Sequence, residues 1–345
     1  MSLGAMRSIK FGVFDQNDSS GLPLGEQYEN RLRLTELYDR SGFHAYHLSE
    51  HHATPLNMAP SPSVFLAAVA QRTKRLRFGP LVYTLPLHHP LRLAEEICLL
   101  DHMSGGRLEV GVGRGISPYE VGYWGLDPAT APIQYREALD VVLRALSTNE
   151  LSFAGEFYRF SNVPIVMAPV QRPHPPLWCG VSTPESALWA LGHKASIVIN
   201  APAGHARGVI DTYRQAWTAA GHDAATMPFA GISRAVVIAG TDAEALAIAR
   251  RAWLRYHDSF HLLWKRHGTS PPFAITPPSF DDVVATRTGI AGSAATVRAV
   301  LLEQAREAGC NYLVSRFAFG DLTFQEAARS AELFAREVMP ALEAV

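Results

Sequence analysis

The chain has 345 residues, of which 48% are hydrophobic and 18% are charged, and its formal net charge is −1 at pH 7. This composition is typical of a globular protein with a large core, and the balanced charge gives no support to a nucleic-acid or membrane partner. The sequence contains no uninterrupted run of about 18 apolar residues, so no membrane span is predicted.

Two further features bear on the compartment. The three widely spaced cysteines, Cys98, Cys179 and Cys310, predict neither a disulfide framework nor a zinc cluster. The segment Met1 to Ala5 lacks the apolar stretch of a signal peptide, and we interpret it as a vector remnant ahead of a native start at Met6. We therefore expect a cytoplasmic protein.

Eight β-like runs alternate with amphipathic helices along the chain. Strands are predicted over residues 9–14, 45–48, 76–84, 108–112, 177–180, 196–199, 231–239 and 311–316. Helices are predicted over residues 26–40, 62–72, 90–103, 133–146, 184–192, 207–220, 243–256, 293–308 and 324–339. Two segments interrupt the alternation: residues 151–165 are typical of a hairpin, and residues 259–288 are long, mixed and contain four prolines.

Repeated strand–helix units predict a parallel sheet, and eight units favour a closed (β/α)8 TIM barrel over an open sheet. The rival architecture, a doubly wound sheet, usually has a glycine-rich turn in its first unit, and residues 14–20 contain none. We therefore expect residues 6–345 to form one barrel domain with insertions.

Unusual polar residues follow four successive strands, at the positions where barrel enzymes place their chemistry. Arg114, between Gly113 and Gly115, combines a close-approaching backbone with a guanidinium that matches a phosphate. Thr183 precedes Pro184 at a helix start, which is either a second phosphate contact or an ordinary helix cap.

The histidines allow a similar pair of interpretations. His51 and His52 are adjacent and point in different directions, so we do not expect a metal site. His51 is a candidate for proton transfer, although a structural hydrogen bond explains it equally well. Four aromatic residues, Phe11, Phe14, Trp178 and Phe317, either line a cleft or fill the barrel interior.

The same segments resemble the luciferase-like monooxygenase family, and most closely its alkanal monooxygenase type. The likeness covers nearly the whole chain and is most specific between residues 49 and 115. It rests on Ser49-Glu50-His51-His52, Ser61-Pro62, residues 70–79, Leu85-Pro86, residues 89–96, residues 100–115, Gly292-Ser293 and Val338-Met339-Pro340.

This resemblance implies a barrel that binds reduced FMN, which a separate flavin reductase supplies. The bound flavin would react with O2 to form a C4a-peroxyflavin that oxygenates an aldehyde, a ketone or a similar small molecule. It also implies a homodimer, and a lid over residues 259–288 that shields the flavin. His51 matches the family's acid/base histidine. The cofactor-contacting positions of the family fall on Leu81, Val82, Gly113, Arg114, Gly115, Val181, Ser182, Thr183 and Ser186.

Two positions depart from the luciferases. Gly113 stands where they carry a reactive cysteine, and Ser182 stands where they carry a glutamate. Light emission is therefore not expected. Two other functions fit the same barrel: an oxidoreductase that uses a deazaflavin cofactor, and a non-catalytic accessory subunit of the luciferase kind.

Overall fold

The computed structural model describes residues 8–271 and 276–343. The expected vector remnant and the start at Met6 lie outside this range. The strands are β1 (Lys10–Asp15), β2 (Ala45–Leu48), β3 (Arg77–Pro80), β4 (Tyr83–Thr84), β5 (Val110–Gly113), β6 (Glu150–Ala154), β7 (Arg159–Pro164), β8 (Leu177–Gly180), β9 (Ser196–Ile199), β10 (Ala230–Ile238), β11 (Gly289–Gly292) and β12 (Tyr312–Arg316). The helices are α1 (Leu24–Arg40), α2 (Pro62–Arg72), α3 (Pro90–Ser104), α4 (Pro118–Tyr123), α5 (Ala131–Ser147), α6 (Pro184–Gly192), α7 (Ala203–Ala219), α8 (Asp242–Arg266), α9 (Phe280–Ala285), α10 (Ala294–Ala308), α11 (Phe324–Leu333) and α12 (Met339–Glu343).

Eight parallel strands form a barrel in the order β3-β2-β1-β12-β10-β9-β8-β5. The two ends of this sheet meet where Phe78 on β3 pairs with Leu108, just before β5. There the Glu109 N–H donates to the Phe78 carbonyl at 2.8 Å, and the Phe78 N–H donates to the Arg107 carbonyl at 3.2 Å. The predicted TIM barrel is confirmed.

Alternating residues of each strand face either the barrel axis or the surrounding helices. The interior contains a small cluster of Trp178, Val198, Tyr312 and Val314, against which Phe14, Leu81 and Phe229 pack. The Tyr312 ring fits only because its neighbours on β1 and β10 are glycines. A Cβ on Gly12 would lie 2.2 Å from the Tyr312 hydroxyl.

Two elements differ from the sequence predictions, and the predicted hairpin is present. The single strand expected over residues 76–84 divides into β3 and β4. The hairpin expected after α5 is present as antiparallel β6 and β7. Helix α8 runs ten residues beyond the predicted end at residue 256, into the segment that we expected to form a lid. Within residues 8–271 and 276–343, every helix is too short or too polar to span a lipid bilayer.

Candidate active site

The loops that carry the candidate residues lie at one end of the barrel, because parallel strands bring their carboxyl ends to the same rim. Arg114 follows β5, and Thr183 follows β8. These two strands are adjacent, because Val110 pairs with Leu177 and Gly111 pairs with Trp178. His51 follows β2, two strands from β5 on the other side. The structure therefore brings the three segments to a shared mouth.

A carboxylate from the β5 side reaches the histidine on the β2 side. His51 Nδ1 lies 3.1 Å from Glu120 Oε1, and the backbone N–H of His52 donates to Glu120 Oε2 at 2.8 Å. The His51 and Glu120 side chains are 14% and 10% exposed. Because the carboxylate accepts the Nδ1 hydrogen, Nε2 is the nitrogen left to exchange a proton with a ligand. The pair therefore has the arrangement of an oriented acid/base histidine.

Glu120 was not identified from the sequence. It occupies the third position of the short helix α4, where its backbone N–H donates to the Ser117 hydroxyl at 3.4 Å. A serine followed three residues later by glutamate is a helix-start pattern, so the spacing of Ser117 and Glu120 could have located the helix. It could not have shown that the carboxylate meets His51.

A second carboxylate, Glu50, joins the ends of β2 and β4. Its side chain is 1% exposed and accepts from His52 Nε2 at 2.9 Å, His88 Nε2 at 2.8 Å and the Thr84 N–H at 2.6 Å. Burial raises the pKa of Glu50, but the bonds to His52 and His88 outweigh it and hold that pKa below its usual value. Burial likewise opposes the charge of His88, yet Glu50 raises the pKa of His88 above its usual value. The two adjacent histidines thus point in different directions, as predicted, and each contacts a different carboxylate that the sequence analysis did not identify.

The backbone at Leu81 and Val82 lies against glycines of β5. The peptide bond between these two residues is cis. A Cβ on Gly111 would lie 2.2 Å from the Pro80 carbonyl oxygen, and a Cβ on Gly113 would lie 2.4 Å from Val82 Cγ2. Gly115 has a φ of 86°, which favours glycine. These glycines therefore let the β3–β4 segment approach β5 closely.

The residues predicted to bind phosphate lie at the surface of the barrel mouth, and one of them also has a structural explanation. The Arg114 side chain is exposed and makes no hydrogen bond or ion pair with the residues that the structure describes. Thr183 and Ser186 form a reciprocal capping box at the start of α6, so Thr183 acts as an ordinary cap. Ser182 and Thr183 are nevertheless exposed, and a Cβ on Gly180 would meet nothing within 4 Å. A free guanidinium beside an exposed helix start fits the phosphate end of FMN.

A pocket opens beside the His51–Glu120 pair. One wall is formed by the loops after β2 and β5, and the other by the inner face of α8. It is lined by His51, Thr54, Leu56, Ile116, Ser117, Glu120, Phe260, Leu263 and Trp264. Its walls are largely apolar, with the polar groups collected at the histidine. In this structure the space between these walls is about the size of one water molecule, so the lining marks the approach to His51 and not an open substrate cavity.

The four candidate aromatic residues separate into two pairs. Phe14 and Trp178 belong to the barrel interior. The other two, Phe11 and Phe317, pack outward against Phe334, with ring centroids 5.9 Å and 5.2 Å away. The prediction that all four line either a cleft or the interior is therefore wrong for Phe11 and Phe317, because their positions on β1 and after β12 face the helices.

Metal and thiol chemistry find little support in the described residues. Among residues 8–271 and 276–343, no group of three or more His, Cys, Asp or Glu side chains is placed to hold a metal ion. The three cysteines are buried and unpaired. Burial raises the pKa of Cys98 to about 11 and that of Cys179 to about 12, so these thiols are poor nucleophiles.

The chain matches a family model and several curated proteins. Residues 9–312 match the model of the luciferase-like monooxygenase family. An uncharacterized protein, y4wF, of Sinorhizobium fredii is 41% identical over 96% of both chains. The 4-hydroxyprotoasukamycin monooxygenase of Streptomyces nodosus is 30% identical over 97% of this chain and 92% of its own. The oxygenase component of the flavin-dependent trigonelline monooxygenase of Acinetobacter baylyi is 31% identical over 50% of this chain and 48% of its own.

Solved structures share the fold. The monooxygenase RslO1 of Streptomyces bottropensis superposes with a TM-score of 0.82 at 27% identity, over 96% of this chain and 99% of its own. The oxygenating constituent of 3,6-diketocamphane monooxygenase from Pseudomonas putida, in complex with FMN, gives 0.80 at 20% identity over 97% and 98%. The coenzyme F420-dependent tetrahydromethanopterin reductase of Methanopyrus kandleri gives 0.70 at 20% over 96% and 99%. From the extent of the family match and of these alignments, the chain belongs to the luciferase-like monooxygenase family.

Proposed function

We propose that this protein is the oxygenase of a two-component, FMN-dependent monooxygenase. It would take reduced FMN from a separate reductase and use O2 to oxygenate a small organic substrate such as an aldehyde or a ketone, through the C4a-peroxyflavin that the family resemblance implies. The observation that carries the proposal is the meeting, at one barrel mouth, of an unpaired Arg114, an exposed α6 start and an oriented His51.

The proposed cofactor site lies on the β5 and β8 side of the mouth. Arg114 would bind the FMN phosphate, together with the hydroxyls and backbone of Ser182, Thr183 and Ser186. Leu81 and Val82 would support the flavin ring, with Gly113, Gly115 and Val181 completing the contact. Reduced FMN supplies the electrons that activate O2 when it is bound. An FMN complex among the similar folds and a relative named as an oxygenase component support the cofactor and the separate reductase.

The chain's own part in the reaction is binding, orientation and proton transfer. Glu120 accepts from His51 Nδ1 and so fixes the ring with its other nitrogen available to the ligand. The apolar wall that Phe260 and Leu263 contribute would exclude water from the reacting oxygen species. We propose that residues 259–288, which include the end of α8 and of which 272–275 lie outside the described residues, act as the lid. We also propose that the protein functions as a homodimer in the cytoplasm.

The proposal is tested by anaerobic photoreduction of FMN with the purified protein, followed by mixing with isotopically labelled O2 and a panel of aldehydes and ketones. We expect label in the organic product and a loss of about 10²–10⁴-fold in turnover for His51→Ala. A matched control is His222→Ala, because His222 lies between the end of α7 and the start of β10, at the end of the barrel opposite the mouth.

Two kinds of result would contradict the proposal and favour another function. Binding of a deazaflavin cofactor in preference to FMN, with no oxygen consumption, would favour the F420-type oxidoreductase that shares this barrel. Unchanged turnover in His51→Ala would remove the proton-transfer role of His51, and no turnover in the parent protein with any substrate would favour the accessory-subunit alternative.

A further inference from the structure

Arg316, the last residue of β12, faces the barrel mouth. Tyr312 and Val314 belong to the interior cluster, and side chains of a strand alternate, so Arg316 points inward one layer above them. It is 7% exposed. Its guanidinium carbon lies 5.3 Å from the centre of the Phe14 ring and 4.7 Å from that of Tyr256. The charge is thus held between two aromatic side chains at the top of the barrel.

This arginine forms no ion pair within the described chain, although Asp18 and the Tyr256 hydroxyl lie near it. Its Nε is buried without an acceptor, and no carboxylate of residues 8–271 or 276–343 lies within 4.0 Å of the guanidinium. The nearby Asp18 instead accepts from the Gly320 N–H at 2.6 Å. Of the other buried arginines, Arg31 has carboxylate partners in Asp15 and Asp18, whereas Arg234 bonds the neutral Gln304 and the Ser233 carbonyl. A buried cation without a partner is costly unless a ligand completes it.

The position of Arg316 separates it from the proposed phosphate site. In the strand order β5-β3-β2-β1-β12 on one side and β5-β8-β9-β10-β12 on the other, β12 is four strands from β5 in both directions. Arg316 and Arg114 therefore lie across the mouth from each other. The FMN phosphate, if bound at Arg114, leaves Arg316 for a different anionic group.

One apolar face of α8 extends from Arg316 toward His51. Tyr256, Phe260 and Leu263 lie on one face of α8 at helical spacing. Phe260 and Leu263 line the His51 pocket. Leu56 packs in the same apolar cluster as Tyr256 and also lines that pocket. A molecule along this face would have a cation at one end, apolar walls beside it and the histidine at the other end.

We propose that Arg316 binds the carboxylate of an otherwise apolar or aromatic substrate, whose distal end reacts beside His51. This inference rests on the proposed function and adds the substrate class to it. A guanidinium forms two parallel charge-assisted hydrogen bonds with a carboxylate, which a neutral amide of the same shape does not reproduce.

The test uses the protein with oxidised FMN bound and two matched pairs of probes: benzoate with benzamide, and 3-phenylpropionate with its amide. Binding is followed by the change in flavin absorbance and by calorimetry. We expect each acid to bind about tenfold or more tightly than its amide. Arg316→Met should abolish this preference and Arg316→Lys should retain part of it. Arg33→Met, which removes an exposed arginine 4.0 Å from the Phe324 ring, should leave it unchanged.

Equal binding of acid and amide to the parent protein, no binding of either acid, or a preference that survives Arg316→Met would overturn the inference. Parallel titration with FMN separates it from the proposed function. FMN binding with no preference for acids overturns the carboxylate site alone, whereas absence of FMN binding removes the proposed function as well. If Arg316→Met weakens FMN binding as much as acid binding, the arginine contacts the flavin and the inference is wrong.

Discussion

A methyl group at Gly113 tests whether the approach of β5 to the β3–β4 segment is as close as the structure shows. The Cβ of Gly113→Ala would lie 2.4 Å from Val82 Cγ2, 3.3 Å from Val82 Cβ and 3.6 Å from Val82 Cγ1. The backbone of Gly113 has no positive φ, so the substitution is sterically and not conformationally unfavourable. We expect a loss of about 1–3 kcal/mol in the free energy of unfolding, the usual cost of overpacking.

Val82→Ala removes both γ-carbons that the new methyl would meet. The double variant should therefore be more stable than the sum of the single variants predicts, by about 1–2 kcal/mol, when all four proteins are compared by urea unfolding. Gly180→Ala is the matched control, because its Cβ would meet nothing within 4 Å and should leave stability unchanged. Additive effects within about 0.5 kcal/mol would refute the close contact between Gly113 and Val82.

Three other predictions follow from the buried charges. Glu50→Gln should lower the free energy of unfolding by about 2 kcal/mol. This loss, measured by unfolding at a series of pH values, should be largest between pH 4.5, the ordinary pKa of a glutamate, and pH 6.5, that of a histidine. The Glu50 contribution disappears as pH falls through its lowered pKa, and the His88 contribution disappears as pH rises through its raised pKa; a difference independent of pH would contradict this. Arg316→Met should leave thermal stability without ligand equal or higher, because it removes an unpaired buried charge, and a large fall would show an unseen partner. Glu120→Ala should change kcat more than KM, because His51 loses its orientation. Steady-state kinetics in which KM changes more than kcat would make Glu120 a substrate-binding residue.

The barrel could be predicted from the sequence because its signals are local. Each strand is a short apolar run and each helix has its own spacing, and the eightfold alternation leaves few topologies. The positions of Gly113, Arg114 and Thr183 at strand ends followed from the same rule. The division of the third strand did not follow, since it depends on how closely Gly111 and Gly113 let the backbone of β3 approach.

The parts of the site that were missed depend on contacts between distant residues. Glu120 is 69 residues from His51 along the chain, and no local pattern links them. Arg316 was recognised only as the end of a strand, because its lack of a partner is a property of everything packed around it. The aromatic residues show the same limit: Phe14 faces the interior and Phe11 faces the helices, and the sequence assigned no side to either.

The proposed function requires the barrel mouth to bind flavin by its phosphate, at Arg114. The most direct measurement compares FMN with riboflavin, which lacks the phosphate, by quenching of flavin fluorescence in the parent protein, Arg114→Met and the exposed control Arg298→Met. We predict that FMN binds the parent and the control about tenfold or more tightly than riboflavin, and that Arg114→Met binds the two equally. Equal affinity for both flavins in the parent protein, or a preference unchanged by Arg114→Met, would contradict phosphate binding at Arg114.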